Sequence, residues 1–148
     1  MAAAHFYSLN QPPEEEALTA ALQYAKNNGL SEQSSRLFGR NIYLTDQPEP
    51  HGYEYYLTVD KTKPIGDAAV DEVASGLYAV LEVKNLFSLT EGWQTLLGWV
   101  KANGHKQVGV KKGPHGWINS AYEELLDWQQ QKPPEEWRFR LWVQLKEQ

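Results

Sequence analysis

Hydrophobic residues recur at helical spacing near the start of the chain. The stripe consists of Ala17, Leu18, Ala21, Leu22 and Ala25. It follows two prolines and three glutamates, Pro12 to Glu16, which suit the first turn of a helix. Gly29 is a typical helix stop. The pattern therefore predicts a first helix that ends at Gly29.

A second helical stripe lies in the other half of the chain and consists of Trp93, Leu96, Leu97 and Val100. A capping-box pattern, Ser88-Leu-Thr-Glu91, precedes it, and Gly104 ends it. The end of the first helix, Leu22-Gln-Tyr-Ala-Lys-Asn-Asn-Gly29, recurs here as Leu97-Gly-Trp-Val-Lys-Ala-Asn-Gly104. The two helices therefore belong to a duplicated unit.

Strand-like runs surround both helices. They cover residues 5–9, 36–44, 53–59, 76–83, about 117–126 and 137–145. A polar turn is predicted at 45–52 and a connector at 60–71. We predict one α+β domain over 1–148, built from two βαββ halves, about 1–60 and 72–148. Its antiparallel sheet carries two helices, with a cleft where the halves meet.

The composition excludes several classes of function. The chain has 148 residues, a formal net charge of −5 and no cysteine. No Lys/Arg run exceeds Lys111-Lys112, so direct nucleic-acid binding is not expected. No apolar run approaches the roughly 18 residues of a membrane span, and no signal-peptide pattern opens the sequence. We therefore expect a cytoplasmic protein without membrane contact.

Glu123 is the clearest candidate for chemistry. Strand alternation places it on one face with Ala121 and Leu125, so its carboxylate would stand in apolar surroundings and require a cationic partner. The alternative is that this face meets solvent and that Tyr122, Leu126 and Trp128 form the core side. By approximate alignment, the first half has Ile42-Tyr43 where the second has Tyr122-Glu123.

Aromatic residues are the other candidates, since six tryptophans and eight tyrosines are many for this length. In the last strand, Trp137 and Phe139 share a face, and Trp137 lies nearest the predicted cleft. For each aromatic the choice is between core packing and a pocket wall, and this holds equally for Trp93, Tyr43 and Tyr55. The four histidines are scattered, and the glycines match no phosphate-binding spacing, so neither a metal nor a cofactor is expected.

These residues resemble a known superfamily. Gly76-Leu-Tyr-Ala-Val80, Ala121-Tyr-Glu-Glu124 and Pro133-Pro-Glu-Glu-Trp-Arg-Phe-Arg-Leu141 are similar to motifs of the gyrase-inhibitor-like proteins. That superfamily includes the effector-binding domains of AraC-type and multidrug-sensing transcription regulators. The chain also resembles a stand-alone cationic drug-binding module of the kind carried on integron gene cassettes.

The resemblance implies two βαββ halves that form a curved sheet, with two helices flanking a central ligand groove. It implies that Glu123 meets lipophilic cations there and that Trp137 stacks on them, with Trp93 as a further wall. It also implies a role as sensor or sequestering module. The relatives' helix-turn-helix domain is missing from this sequence, so regulation would need a separate DNA-binding protein.

Two other functions stay open. Some relatives hydrolyse strained electrophiles, and Glu123 with Trp137 or Tyr122 would supply a base and a positioning group. The third possibility is a protein-interaction role such as gyrase inhibition. Whether the chain is an enzyme is left open, with binding favoured.

Overall fold

The computed structural model describes residues 1–10, 12–43, 50–59 and 69–147, with only the backbone described at 50–51 and 69–72. Most of the predicted turn at 45–52 and of the connector at 60–71 therefore lies outside the described residues. No helix in these ranges is long and apolar enough to cross a membrane.

The first half forms one strand, one helix and a strand pair. Its elements are β1 (Ala2–Ser8), α1 (Pro13–Asn27), β2 (Leu37–Tyr43) and β3 (Pro50–Thr58). Pro13 and the acidic first turn begin α1 as expected, and Gly29 follows it in a left-handed conformation with φ 64°. A short strand, β4 (Ala69–Glu72), then pairs with the outer edge of β1.

The second half repeats this order with an inserted hairpin. Its elements are β5 (Tyr78–Lys84), α2 (Leu89–Ala102), β6 (Lys111–Gly113), β7 (Gly116–Ile118), β8 (Ala121–Leu126) and β9 (Arg138–Gln144). The strand predicted at 117–126 is thus two strands, separated at Asn119 and Ser120. The side chain of Ser88 accepts no capping hydrogen bond, and that of Asn85 instead accepts one from Phe87 N at the start of a 3₁₀ turn ahead of α2.

The nine strands of the described chain form one antiparallel sheet, ordered β4-β1-β3-β2-β8-β9-β5, with β7 paired to β2 and β6 paired to β7. The order β1-β3-β2 is mirrored by β5-β9-β8, so the duplicated unit is visible in the topology. The predicted α+β class, with an antiparallel sheet and two helices, is confirmed.

The halves meet where β2 pairs with β8, over Leu37–Leu125, Phe38–Glu124 and Gly39–Glu123. Gly39 therefore lies directly across from Glu123. Ile42 and Tyr43, which the approximate alignment placed against Tyr122-Glu123, pair with β7, beyond the stretch of β2 that pairs with β8.

Both helices cover the same face of the sheet. Their buried residues pack with the inward side chains of the central strands, among them Tyr55, Leu57, Phe139, Leu141 and Val143. The helices approach the sheet closely because α1 buries only alanines in its middle and α2 buries Gly92 near its start. A methyl group added at Gly92 would lie 2.6 Å from Val83 Cγ2.

The opposite face is also buried at its centre, but it holds charges. Phe38, Tyr56 and Tyr122 form a small apolar cluster there. Beside it, Arg40 reaches Glu54 at 3.3 Å, and Arg36 binds Glu124 with two hydrogen bonds of 2.8 and 2.9 Å. Both faces of β8 are covered, so neither is fully exposed to solvent. The alternative from the sequence had the face of Glu123 exposed in this way.

Candidate functional site

Glu123 lies on the helix-covered face of β8 and is half-buried. Its carboxylate accepts two hydrogen bonds, one from each half of the chain. Tyr53 Oη, on β3, donates to Oε1 at 2.6 Å, and Trp93 Nε1, on α2, donates to Oε2 at 2.9 Å. Glu123 therefore joins the two halves through neutral donors.

Tyr53 stays a hydrogen-bond donor over a wide range of pH. Burial, and next the charge of Glu123, hold the pKa of its hydroxyl well above the ordinary value for tyrosine. The same two causes raise the pKa of Tyr43, which is closer to solvent. Both hydroxyls are therefore neutral beside the carboxylate.

The partners of Glu123 differ from those of the other buried carboxylates. Glu54 faces Arg40, Glu124 faces Arg36, and the partly buried Asp127 faces Arg138. Within the described residues, Glu123 has no Lys, Arg or His at ion-pair distance. Of these four carboxylates, Glu123 is the one without a cationic partner in the described part of the chain.

A cavity of about 220 Å³ opens beside Glu123, and we call it the Glu123 cavity. Its aromatic and apolar lining consists of Tyr43, Trp93, Leu97 and Ala121. Its amide lining consists of Asn41, Gln107 and Asn119. Gly39 and Arg40 complete the wall. The guanidinium of Arg40 is already bonded to Glu54, Tyr56 and Tyr122.

A second cavity, of about 690 Å³, lies at the other end of β8, and we call it the α1 cavity. Its apolar lining comes from α1 and the residues that follow it, and from β8 with its connection to β9: Leu18, Leu22, Ala25, Leu30, Leu125, Leu126, Trp128 and Trp137. No residue of α2 lines it. The two cavities therefore lie on the same face of the sheet but have different walls.

The residues predicted to line one groove lie in different parts of the structure, namely the two cavities and the helix-covered core. Glu123, Trp93 and Tyr43 come together in the Glu123 cavity, whereas Trp137 lines the α1 cavity. Tyr55 and Phe139 are buried in the helix-covered core and line neither cavity. Tyr122, considered as a partner of Glu123 in catalysis, lies on the opposite face and hydrogen-bonds Arg40 at 3.0 Å.

Tyr53 and Gly39 were missed from the sequence. The strand alternation that selects Tyr55 also places Tyr53 on the same face, so a signal for Tyr53 was present. Gly39 gave no such signal. It lets the ring of Tyr53 cross β2, since a methyl group there would lie 2.5 Å from Tyr53 Oη.

No group of three or more potential metal-ligating side chains is found in the described part of the chain. The described part of the site offers one carboxylate, two hydrogen-bond donors to it, and a wall of aromatic and amide side chains. Compared with family models and with curated proteins, the chain shows no significant match to either.

Proposed function

We propose that this domain binds lipophilic organic cations, with the cationic group against Glu123. The observation that carries the proposal is the half-buried carboxylate whose partners among the described residues are all neutral, at the wall of a cavity. Removing a charge from water is costly unless an opposite charge accompanies it. A bound cation would supply that charge, and Trp93 and Tyr43 offer ring faces that attract cations.

The cavity volume limits the size of the ligand group that can enter. Drug-sized ligands occupy cavities of about 300–1,000 Å³, and the Glu123 cavity has about 220 Å³. It therefore suits a compact ammonium group, while the apolar body of the ligand extends over Leu97, which is 40% exposed at the rim. The natural role that we propose is that of a cytoplasmic sensor or sequestering module, with a separate DNA-binding protein as partner where it regulates transcription.

The test compares two probes of the same shape. Benzyltrimethylammonium carries the charge, and its uncharged isostere neopentylbenzene does not. We expect the wild-type protein to bind the ammonium compound more tightly, as measured by calorimetry and by tryptophan fluorescence. In Glu123→Gln, its binding free energy should weaken by about 1–3 kcal/mol.

A matched control removes the same charge elsewhere. Glu91 is exposed on α2, two residues from Trp93. Glu91→Gln should bind benzyltrimethylammonium as the wild type does. The proposal is wrong if Glu123→Gln keeps its affinity, or if the wild type does not distinguish the two probes.

The short Tyr53–Glu123 contact of 2.6 Å favours one second candidate, the hydrolysis of small epoxides. Glu123 would accept a proton from a water whose oxygen attacks the ring carbon. The ring C–O bond would break, and its oxygen would take a proton from Tyr53, which regains one from Glu123 through the hydrogen bond between them. Phenyl glycidyl ether should then be converted to its diol, and both Glu123→Gln and Tyr53→Phe should slow the conversion. A diol yield equal to that without protein would exclude this candidate.

A further inference from the structure

The α1 cavity is larger than the Glu123 cavity and has a different chemical character. Its volume of about 690 Å³ lies within the usual range for small-molecule sites. Leucine side chains from α1 and β8 face two indole rings, those of Trp128 and Trp137. Such a wall removes apolar ligand surface from water at about 25 cal/mol per Å².

This wall is fixed before any ligand arrives. Trp128 donates its indole N–H to the carbonyl of Ser35 at 3.3 Å, and Trp137 donates to that of Lys132 at 2.8 Å. Both polar atoms of the indoles are therefore engaged by backbone. A ligand in the α1 cavity would not have to order these two rings, which lowers the entropic cost of binding.

Hydrogen bonds join the two loops that contribute Leu30, Gln129 and Gln130 to the cavity wall. Glu32 N donates to Gln129 Oε1 at 3.1 Å, and Gln129 N donates back to Glu32 Oε2 at 3.3 Å. Gln130 Nε2 adds a bond of 3.0 Å to the other carboxylate oxygen. The loop after α1 and the β8–β9 connection are thus joined, and the charge of Glu32 is directed into this junction.

The charged side chains that line the α1 cavity carry a net positive charge. Lys26, Asp127 and Lys132 are the ionic side chains there. Asp127 is bound by Arg138 at 2.7 and 2.9 Å and by Lys132 at 3.3 Å. Among the described residues, Lys26 has neither an ion pair nor a hydrogen bond from its ammonium group. Any charged ligand would therefore meet a cationic rim.

We propose that the α1 cavity binds an apolar small molecule that carries one carboxylate, distinct from the cation at Glu123. The body of the ligand would lie between the leucines and the two indoles. Its carboxylate would reach the rim and interact with Lys26, with Lys132 as a second donor. The two ends of β8 thus select ligands of opposite charge.

The duplication supplies a control for Lys26. Lys26 in the last turn of α1 corresponds to Lys101 in the last turn of α2, by the repeated sequence. Both lysines are exposed, and Lys101 lines neither of the two cavities. Charge reversal at either site changes the net charge and the helix end equally, but only Lys26→Glu changes the cavity.

The experiment measures calorimetric affinities at neutral pH for 2-naphthoate and 2-naphthylmethylammonium, which differ in the charged group. Wild-type protein and Lys101→Glu should bind naphthoate more tightly than the ammonium probe. In Lys26→Glu the affinity for naphthoate should fall about fivefold, a modest loss because the rim charge is exposed. Thermal unfolding of both variants checks that each is folded. Equal effects of the two reversals, or a preference for the ammonium probe, would overturn the proposal.

Glu123→Gln separates this inference from the proposed function. Naphthoate binding should be unchanged in that variant, while benzyltrimethylammonium binding weakens. If cation binding at Glu123 fails and naphthoate binding holds, only the proposed function is wrong. If naphthoate binding follows Glu123, the two cavities are one site and the inference is wrong.

Discussion

Gly39 determines how the two halves share Glu123. It stands opposite Glu123 in the β2–β8 pairing, and the rings of Tyr53 and Tyr55 lie over it. A methyl group there would approach Tyr53 Oη to 2.5 Å and Tyr55 Cε1 to 2.8 Å. Both rings are buried and have little room to retreat. The absence of one side chain therefore allows the 2.6 Å contact between Tyr53 and Glu123.

Gly39→Ala should accordingly lower stability and disturb the site together. Overpacking of a buried position costs about 1–3 kcal/mol, which urea unfolding would measure. Affinity for benzyltrimethylammonium should change in the same variant, since Tyr53 can no longer fix the carboxylate.

Gly98→Ala is the control, because Gly98 is exposed on α2 and has open space around it. That change should raise stability by about 0.5–1 kcal/mol through helix propensity. A Gly39→Ala protein as stable as the wild type would contradict the packing argument.

The β8–β9 turn contains an ion pair between Asp127 and Arg138. Asp127 opens this turn in a left-handed conformation with φ 53°. Arg138 at the start of β9 donates two hydrogen bonds to it, and these, with Lys132, outweigh burial and lower the pKa of Asp127 to about 2. The turn is thus fixed by charge, at a place where the backbone conformation suits Asp or Asn.

Asp127→Asn should therefore destabilise the protein at neutral pH by about 1–2 kcal/mol while preserving the turn. The folded pKa lies below the ordinary value, so the wild-type stabilisation is complete above about pH 5 and is lost as the pH falls toward 2. The variant should show a smaller loss of unfolding free energy across that interval.

Glu82→Gln serves for comparison, since Glu82 meets the same Arg138 at 3.4 Å from an exposed position. It should change stability by less than about 1 kcal/mol. If the two variants respond to pH alike, the turn pair does not control acid stability.

The elements also show how far sequence patterns reach. Both helices follow from their apolar stripes, and the strands that became β1, β2, β3, β5 and β9 follow from strand-like runs between turn signals. The break between β7 and β8 was not predicted, since Asn119 and Ser120 interrupt a run that is apolar on both faces. The capping box at Ser88 failed because Asn85 caps the preceding turn instead.

At the scale of the whole molecule, the site depends on contacts between distant segments that no local pattern reveals. Glu123 was predicted from strand alternation, but its two donors come from β3 and α2 across the junction of the halves. The separation of Trp137 from Glu123 likewise follows from how α1 and the β8–β9 turn enclose a space of their own. The sequence pattern predicts the carboxylate and the aromatic residues, and packing between distant segments determines which of them are in contact.

The halves should reassemble when the chain is divided between them. Residues 1–75 contain β4-β1-β3-β2 with α1, and residues 76–148 contain the strands around α2. Gly76, with φ 147°, lies at the division. Co-expressed fragments should purify together, because β2 and β8 each have an unpaired edge when the two fragments are separate.

Binding of benzyltrimethylammonium should need both fragments, since Tyr53 belongs to one and Glu123 to the other. Separate fragments that each bind the probe, or fragments that do not associate, would show that the junction is not the organising contact.

The pairing of β4 with β1 has a consequence for biosynthesis. By the time residue 72 has left the ribosome, the nascent chain holds all four strands on the first side of the junction, and β4 already covers the outer edge of β1. On the junction side β2 stays unpaired, because its partner β8 is translated last but one among the strands. Vectorial folding would therefore produce a nearly finished first half whose β2 edge is still open, and the rest of the polypeptide would pair with that edge.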